Sequence, residues 1–159
     1  MRIVGGKHRG RRLEAPTDLR IRPTSDRARE ALFNILAHGR FAADHRSLLP
    51  GARVLDAFCG TGALTFEALS RGAEKAILLD NDPDAIKLAR TNAALLGVNA
   101  QVDIRRADAR HPGPAPWAAT LAFLDPPYGQ GLVETALARL RSVGRIVADR
   151  KSTRLNSSH

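Results

Sequence analysis

The chain has 159 residues, 43% of them hydrophobic, and a formal net charge of +9, enough for one buried core and little more. No apolar run approaches the roughly 18 residues a membrane span needs, and the start MRIVGGKHRGRR has no apolar stretch after its charges, which argues against a span and a secretory signal. The single Cys59 excludes an internal disulfide and a multi-cysteine metal site, so a soluble, cytoplasmic protein is expected.

Residues 1–29 carry nine Arg and Lys against three acids, so most of the positive charge lies in the first fifth of the chain. An Arg-rich arm over residues 1–22 suits a polyanion, because a guanidinium grips phosphate with two hydrogen bonds where an ammonium is a point charge. A solvated surface of high pI is the plainer alternative. Arg2 to Val4 and Arg11 to Leu13 read as two short strands around a Gly-rich turn, giving a flexible basic hairpin. From Thr24 the period lengthens. Ala28, Ala31, Leu32, Ile35 and Leu36 mark one face of a helix, with Thr24 or Ser25 as N-cap and Gly39 as the stop.

From Arg53 strand and helix patterns alternate. Val54 to Ala57 reads as a short buried strand and Ala63 to Arg71 as a helix ended by Gly72. Ala76 to Asp80 reads as a second strand, and Pro83 to Leu96 as a helix with Asp82 as N-cap and Gly97 beyond its end. Gln101 to Arg105, Leu121 to Leu124 and Arg145 to Ala148 supply three more strands, the last two flanking a helix near Leu132 to Leu140. The fold class is therefore α/β, with a parallel sheet covered by helices on both faces.

In such a sheet ligands bind beyond the carboxyl ends of the strands. Val54 to Ala57 runs into Phe58, Cys59, Gly60, Thr61 and Gly62, a turn that lets a ligand approach the backbone closely. Twenty residues after Gly60, Asp80 ends the second strand, where a carboxylate can accept both hydroxyls of a ribose, and Asp108 follows the third strand. A dinucleotide site would want a third glycine where Thr65 stands, and Asp56 would repel a pyrophosphate but attract an ammonium. S-adenosylmethionine, with adenine, ribose and ammonium but no phosphate, fits these acids better than a dinucleotide. At the fourth strand's end, Asp125, Pro126, Pro127 and Tyr128 combine an acid, carbonyls on a fixed backbone and an aromatic ring, a set suited to capturing a planar amine.

Taken together, DAFCGTGALTFEALSRGA (56–73), LLDNDPDA (78–85), RADA (106–109) and FLDPPY (123–128) resemble the class I S-adenosylmethionine-dependent amino-methyltransferases. The blocks MRIVGGKHRGRRLEAP and RPTSDRAREALFNIL (22–36) narrow the resemblance to the bacterial 16S rRNA guanine-N2-methyltransferase family, the RsmD type. The resemblance implies a Rossmann-like sheet, S-adenosylmethionine as methyl donor and a guanine in small-subunit ribosomal RNA as acceptor. It further implies that the turn from Asp56 through Phe58, Gly60, Thr61 and Gly62 holds the methionine moiety. Asp80, with Asn81 beside it, would take the ribose, and Asp108 with the Ala109 backbone the adenine. Asp125 and the Pro126 carbonyl would accept from the guanine amine, with Pro127 fixing the loop and Tyr128 stacking on the base. Lys7, Arg9, Arg11, Arg12 and Arg22 are the candidate RNA contacts, and the partner is 16S rRNA or a small-subunit assembly particle, bound by a monomer. No metal is expected, since His8, His38, His45 and His111 lack ligand spacing. Cys59 sits in the cofactor turn, where a small residue is needed, and is not expected to act as a nucleophile.

The methyltransferase domain is expected over residues 23–148. Asp149 to His159 (DRKSTRLNSSH) resembles a sequencing-library adapter translated in frame, so residues 149–159 are expected to be an artefactual tail. Class I sheets normally carry two strands beyond the fifth, so the domain is expected to be truncated there, with an exposed edge at 145–148. The rival readings are an N6-adenine or protein-glutamine methyltransferase, which use related Asp/Asn-Pro-Pro-aromatic motifs, and an inactive RNA-binding fragment.

Overall fold

The computed structural model describes residues 1–17, 25–38, 47–113 and 116–125. Helix α1 (Asp26–Ala37) leads into β1 (Arg53–Asp56), α2 (Ala63–Ser70), β2 (Lys75–Asp80) and α3 (Pro83–Leu96). A 3-10 turn at Asn99–Gln101, β3 (Val102–Arg106) and β4 (Leu121–Phe123) complete the described elements. From β1 onward their ends lie within a residue of those read from the apolar runs, the usual uncertainty of element ends. The predicted helix near 132–140, the strand at 145–148 and the tail at 149–159 lie outside the described residues, as does Arg22.

The four strands form one parallel sheet in the order β3-β2-β1-β4. Val54 to Asp56 are buried, as are Ala76 to Leu79 and the whole of β4, so these three strands are covered on both faces. β3 departs from the expectation of a strand covered on both sides. It is one of the two outer strands among the described residues, the other being β4, and unlike β4 it is half-exposed along its length and carries an Asp103–Arg105 ion pair. Charged side chains of this kind blunt an edge against pairing with another chain.

All three described helices pack on one sheet face. There Val54, Leu78, Leu121 and Phe123 meet Phe33 and Leu36 of α1, Phe66 and Leu69 of α2, and Ala89 and Ala93 of α3. The Phe33 and Phe123 rings lie 5.9 Å apart at 60°, a tilted pairing that adds about 0.5–1.5 kcal/mol beyond area burial. On the other face, Leu55, Ile77, Leu79 and Ala122 are joined by Ala109, Ala119 and Leu124 from loops.

α1 is capped by Ser25, whose hydroxyl accepts from the Ala28 N–H at 3.1 Å. Its buried face differs from the expected stripe: Arg29, Phe33 and Leu36 are buried, whereas Ala28 and Ala31 are exposed. The cause is a buried carboxylate. Glu67 on α2 is fully buried and accepts from Arg29 Nε at 3.1 Å and Arg71 Nε at 2.9 Å. Counting Arg29 as a polar-face residue misplaces the helix by about one position.

The N-terminal arm also differs from the flexible hairpin expected. Its strand pairing reduces to a single antiparallel bridge, Arg2 with Arg12. The arm is nonetheless fixed to the core: Ile3 and Leu13 are buried, and the Val4 and Gly5 amides donate to the two Glu67 oxygens at 3.0 Å each. Arg29 Nη2 donates to the Arg2 carbonyl and to Asp26. Gly6 has φ +77°, and a Cβ there would lie 2.0 Å from the Ser70 carbonyl, so this turn needs glycine. With the arm and α1 on its outer side, every residue of α2 is buried.

Candidate active site at the carboxyl edge of the sheet

The strand order reverses between β1 and β4, which makes the crevice beyond their carboxyl ends the topological switch point. Asp56 ends β1 opposite Phe123 of β4, and Asp125 follows two residues later. Asp80 ends β2, so three of the predicted acids converge on one edge. Pro126, Pro127 and Tyr128 lie outside the described residues.

The turn after β1 is held from both sides. Ala57 N–H donates to the Phe123 carbonyl and Cys59 N–H to the Leu79 carbonyl, after which Gly62 N–H closes the turn on Cys59 at 2.8 Å. Gly62 is the left-handed N-cap of α2, with φ +81°, and a Cβ there would lie 2.4 Å from the Phe66 ring. Backbone conformation and packing both require glycine. Thr61 is buried, and its carbonyl accepts from Asn92 Nδ2 at 3.0 Å, tying the turn to α3. Phe58 packs half-buried on the second core cluster. The Cys59 thiol is buried and pushed well above its usual range by that burial, with Asp56 and Asp80 adding to the effect, so it stays neutral.

Asp80 is positioned by backbone donors. One oxygen accepts from Gly60 N–H and the other from Asp82 N–H, each at 2.9 Å. Burial raises its pKa, while these donors oppose the rise. Asn81 is exposed, and its carbonyl accepts from Arg106 Nε at 3.2 Å. Asp108 sits apart from this cluster in its bonding: Arg110 grips it through Nε and Nη2, the latter at 2.7 Å, and that hydrogen bonding lowers its pKa. The neighbouring Ala109 is buried in the second cluster.

Asp56 is the most perturbed of the acids. It is 2% exposed, accepts from the Thr65 hydroxyl at 2.9 Å, and is pushed up to about 7. Burial is the main cause; the Thr65 bond pulls it down, and the charges of Asp125 and Asp80 push it further up. The folded state therefore holds this proton more tightly than the unfolded chain. The resulting stability is fully present below about pH 4 and is lost as pH rises through about 7, on the order of 4 kcal/mol at most. Asp56→Asn removes this dependence. Thermal unfolding between pH 4.5 and 8 should show the ligand-free variant matching or exceeding the unsubstituted protein at the alkaline end; identical pH slopes for the two would contradict the assignment.

The candidate RNA residues lie elsewhere. Lys7 N–H donates to the Ser70 carbonyl, and Arg11 Nη2 donates to the Leu95 carbonyl at 2.6 Å, so the arm's turn sits on the carboxyl ends of α2 and α3. Those ends lie by the amino ends of the strands, as the Gly51–Gly72 and Glu74–Ala52 backbone bonds show. The arm's turn is thus at the opposite end of the sheet from the acids. Neither helix has a basic residue in its last turn, and the Arg11 guanidinium brings to the end of α3 the positive charge that helix carboxyl ends favour. Arg9 and Arg12 are exposed. The residues missed in the sequence are Glu67, Thr65 and Asn92. Each is a polar residue within a helical run; Glu67 and Asn92 meet partners 31 to 78 residues away, which no local spacing signals, and Thr65 meets Asp56 only because the turn folds back.

Among the described residues no helix is long and apolar enough to cross a membrane, and no group of three or more His, Cys, Asp and Glu is placed to hold a metal. A family model described as conserved hypothetical protein 95 matches residues 1–151. The chain is 35% identical over 152 residues to ribosomal RNA small subunit methyltransferase D of Escherichia coli, covering 91% of this chain and 68% of that protein. It is 33% identical over 141 residues to YlbH of Bacillus subtilis, whose name proposes an rRNA methyltransferase, covering 86% of this chain and 72% of that one. The solved structure of the Escherichia coli protein yhhF, titled as a proposed methyltransferase, superposes with a TM-score of 0.76 at 32% identity, over 92% of this chain and 75% of its own. On this fold, this edge of acids and these matches, the chain belongs to the ribosomal RNA small subunit methyltransferase D family of methyltransferases.

Proposed function

We propose that the protein transfers a methyl group from S-adenosylmethionine to the exocyclic N2 amine of a guanine in 16S rRNA, acting as a cytoplasmic monomer on free rRNA or on a small-subunit assembly particle. The observation that carries this reading is the meeting of Asp56, Asp80 and Asp125 around the Gly60–Gly62 turn at the switch point. The donor set fits the methyl donor on chemical grounds. The edge presents three carboxyl groups to a ligand that carries an ammonium and two ribose hydroxyls.

When bound, S-adenosylmethionine supplies an activated methyl group on a sulfonium. The rest falls to this chain. Asp80, held by two amides, offers its remaining lone pairs to the ribose, with Asn81 beside it. Asp56, buried and half-protonated near neutral pH, loses its proton as an ammonium enters and then pairs with it. Phe58, Thr61 and Gly62 shape the turn around the methionine end, and Ala109 with Asp108 borders the adenine end, where adenine must compete with Arg110 for the carboxylate.

Asp125 and the Pro126 carbonyl accept hydrogen bonds from the guanine amine, while Pro127 fixes the loop and Tyr128 offers a stacking surface. An aryl amine is a weak nucleophile because its lone pair is delocalised into the ring. Two acceptors favour a pyramidal nitrogen, and Asp125 stabilises the positive charge the amine gains and takes its proton. Holding nucleophile and methyl in line contributes up to about 7–11 kcal/mol in well-oriented systems. The target base leaves its stack to reach such a pocket, at a cost that stacking on Tyr128, about 1–3 kcal/mol, offsets. Lys7, Arg9, Arg12 and Arg22 contact RNA phosphates, and Arg11 divides its donors between phosphate and Leu95.

Replacing the guanines of an accepted rRNA substrate with inosine, which lacks the N2 amine, tests the acceptor. Label transfer from methyl-labelled S-adenosylmethionine should fall to background; undiminished transfer would point to adenine N6 and overturn the reading.

A further inference from the structure

An open groove of about 480 Å³ runs between α3 and the edge strand β3, lined by Pro83, Ile86, Lys87, Arg90, Thr91 and Arg106. It holds three cations. Among the described residues none of the three is in an ion pair, although Asp103 and Asp108 nearby are paired with Arg105 and Arg110. The two arginines are anchored by single backbone contacts, Arg90 Nη2 to the Ile104 carbonyl at 3.3 Å and Arg106 Nε to the Asn81 carbonyl at 3.2 Å. Each guanidinium has five N–H donors, so most remain for a ligand on a side chain whose direction is already set. Two nearby acids are engaged elsewhere: Asp82 caps α3, and Asp80 binds the Gly60 and Asp82 amides, while Asp84 stands in the first turn of α3, three residues before Lys87.

Position gives the groove its meaning. Arg106 ends β3 beside Asp80 in register and touches Asn81, so the groove opens at the same sheet edge as the active site. The arm's turn lies at the opposite end, roughly the length of α3 away, about 20 Å for its fourteen residues. Among the described residues, the arm's cations therefore lie too far away to reach phosphates next to the target nucleotide. The geometry points to the Lys87–Arg90–Arg106 groove as a second RNA site, one that grips backbone phosphates flanking the methylated base. This inference rests on the RNA substrate proposed above and adds the surface that positions the RNA at the active edge.

The test is fluorescence anisotropy of the full chain with a labelled RNA hairpin bearing guanines in its loop, measured across a salt series. Two variants are compared with the unsubstituted protein: the triple Lys87→Gln/Arg90→Gln/Arg106→Gln, and the double Lys87→Gln/Arg90→Gln, which leaves the contact to Asn81 intact. The triple should bind RNA about tenfold more weakly at low salt and lose about 2 from the slope of log affinity against log salt, at about 0.7 per single-strand phosphate contact. The double should lose an intermediate amount, with its S-adenosylmethionine affinity by calorimetry unchanged. RNA affinity and salt slope equal to those of the unsubstituted protein in both variants would overturn the groove alone. An unsubstituted protein that binds neither the hairpin nor a small-subunit particle would overturn the groove and the proposed substrate together.

Discussion

Asp125→Ala should reduce methyl transfer by about 10²–10⁴-fold, the usual worth of a positioned proton acceptor or charge stabiliser, while the protein folds and binds S-adenosylmethionine as before. Asp125 lies just past β4, two residues beyond the Phe123 that faces Asp56, and it is half-exposed. Removing it opens no core cavity, and the loss should fall on the chemical step rather than on cofactor affinity. A second signature separates this role from a structural one. The Asp125 charge helps to hold the Asp56 pKa up near 7, after burial itself, so the alanine variant should also lower that pKa. Single-turnover rates, cofactor calorimetry and carboxyl titration by NMR read the three quantities; an active variant, or one that simply unfolds, contradicts the assignment. Asp125→Asn, which keeps an acceptor oxygen but not the charge, should retain part of the rate.

Glu67→Ala should destabilise the protein by about 3–5 kcal/mol, the typical cost of leaving a buried charge without its partner. Glu67 accepts from Arg29, Arg71 and the amides of Val4 and Gly5, and both it and Arg29 are fully buried. One carboxylate thus joins the arm, α1 and α2. Its loss takes from the buried Arg29 its Nε acceptor, leaving the Asp26 pair, and deprives two backbone donors of theirs, each a further desolvation cost. For a domain of this size the melting temperature should fall by roughly 10 °C or more, and the arm should become protease-sensitive ahead of the core. Chemical denaturation and limited proteolysis check both; a loss under about 1 kcal/mol would show that the arm is held by Ile3 and Leu13 alone.

The legible parts of the sequence are those written in local pattern. Buried runs such as KAILLD, the Asp82-Pro83 start and the Gly97 stop of α3 place the strands and helices within a residue, because burial, capping and turn chemistry act over a few neighbours. The acids at the strand ends are legible for the same reason, since a parallel sheet dictates which edge they share. What fails to be legible depends on distant partners. The register of α1 is set by Arg29 finding Glu67 across 38 residues, and the fixing of the arm by Glu67 and Ser70 across 63 and 62. The Arg-rich arm is ambiguous in the sequence because one charge pattern serves two ends, phosphate binding and the neutralisation of helix termini. The groove cations escape notice because Lys87, Arg90 and Arg106 come from two elements and form no run in the sequence.

Nucleoside mass spectrometry of 16S rRNA, and of small-subunit particles lacking the modification, after incubation with the protein and methyl-labelled S-adenosylmethionine tests the central claim most directly. The account predicts a single labelled nucleoside, N2-methylguanosine, at one position, formed by the unsubstituted protein and absent with Asp125→Ala. Labelled N6-methyladenosine, label in ribosomal protein, or no product from a folded protein that binds S-adenosylmethionine would contradict it.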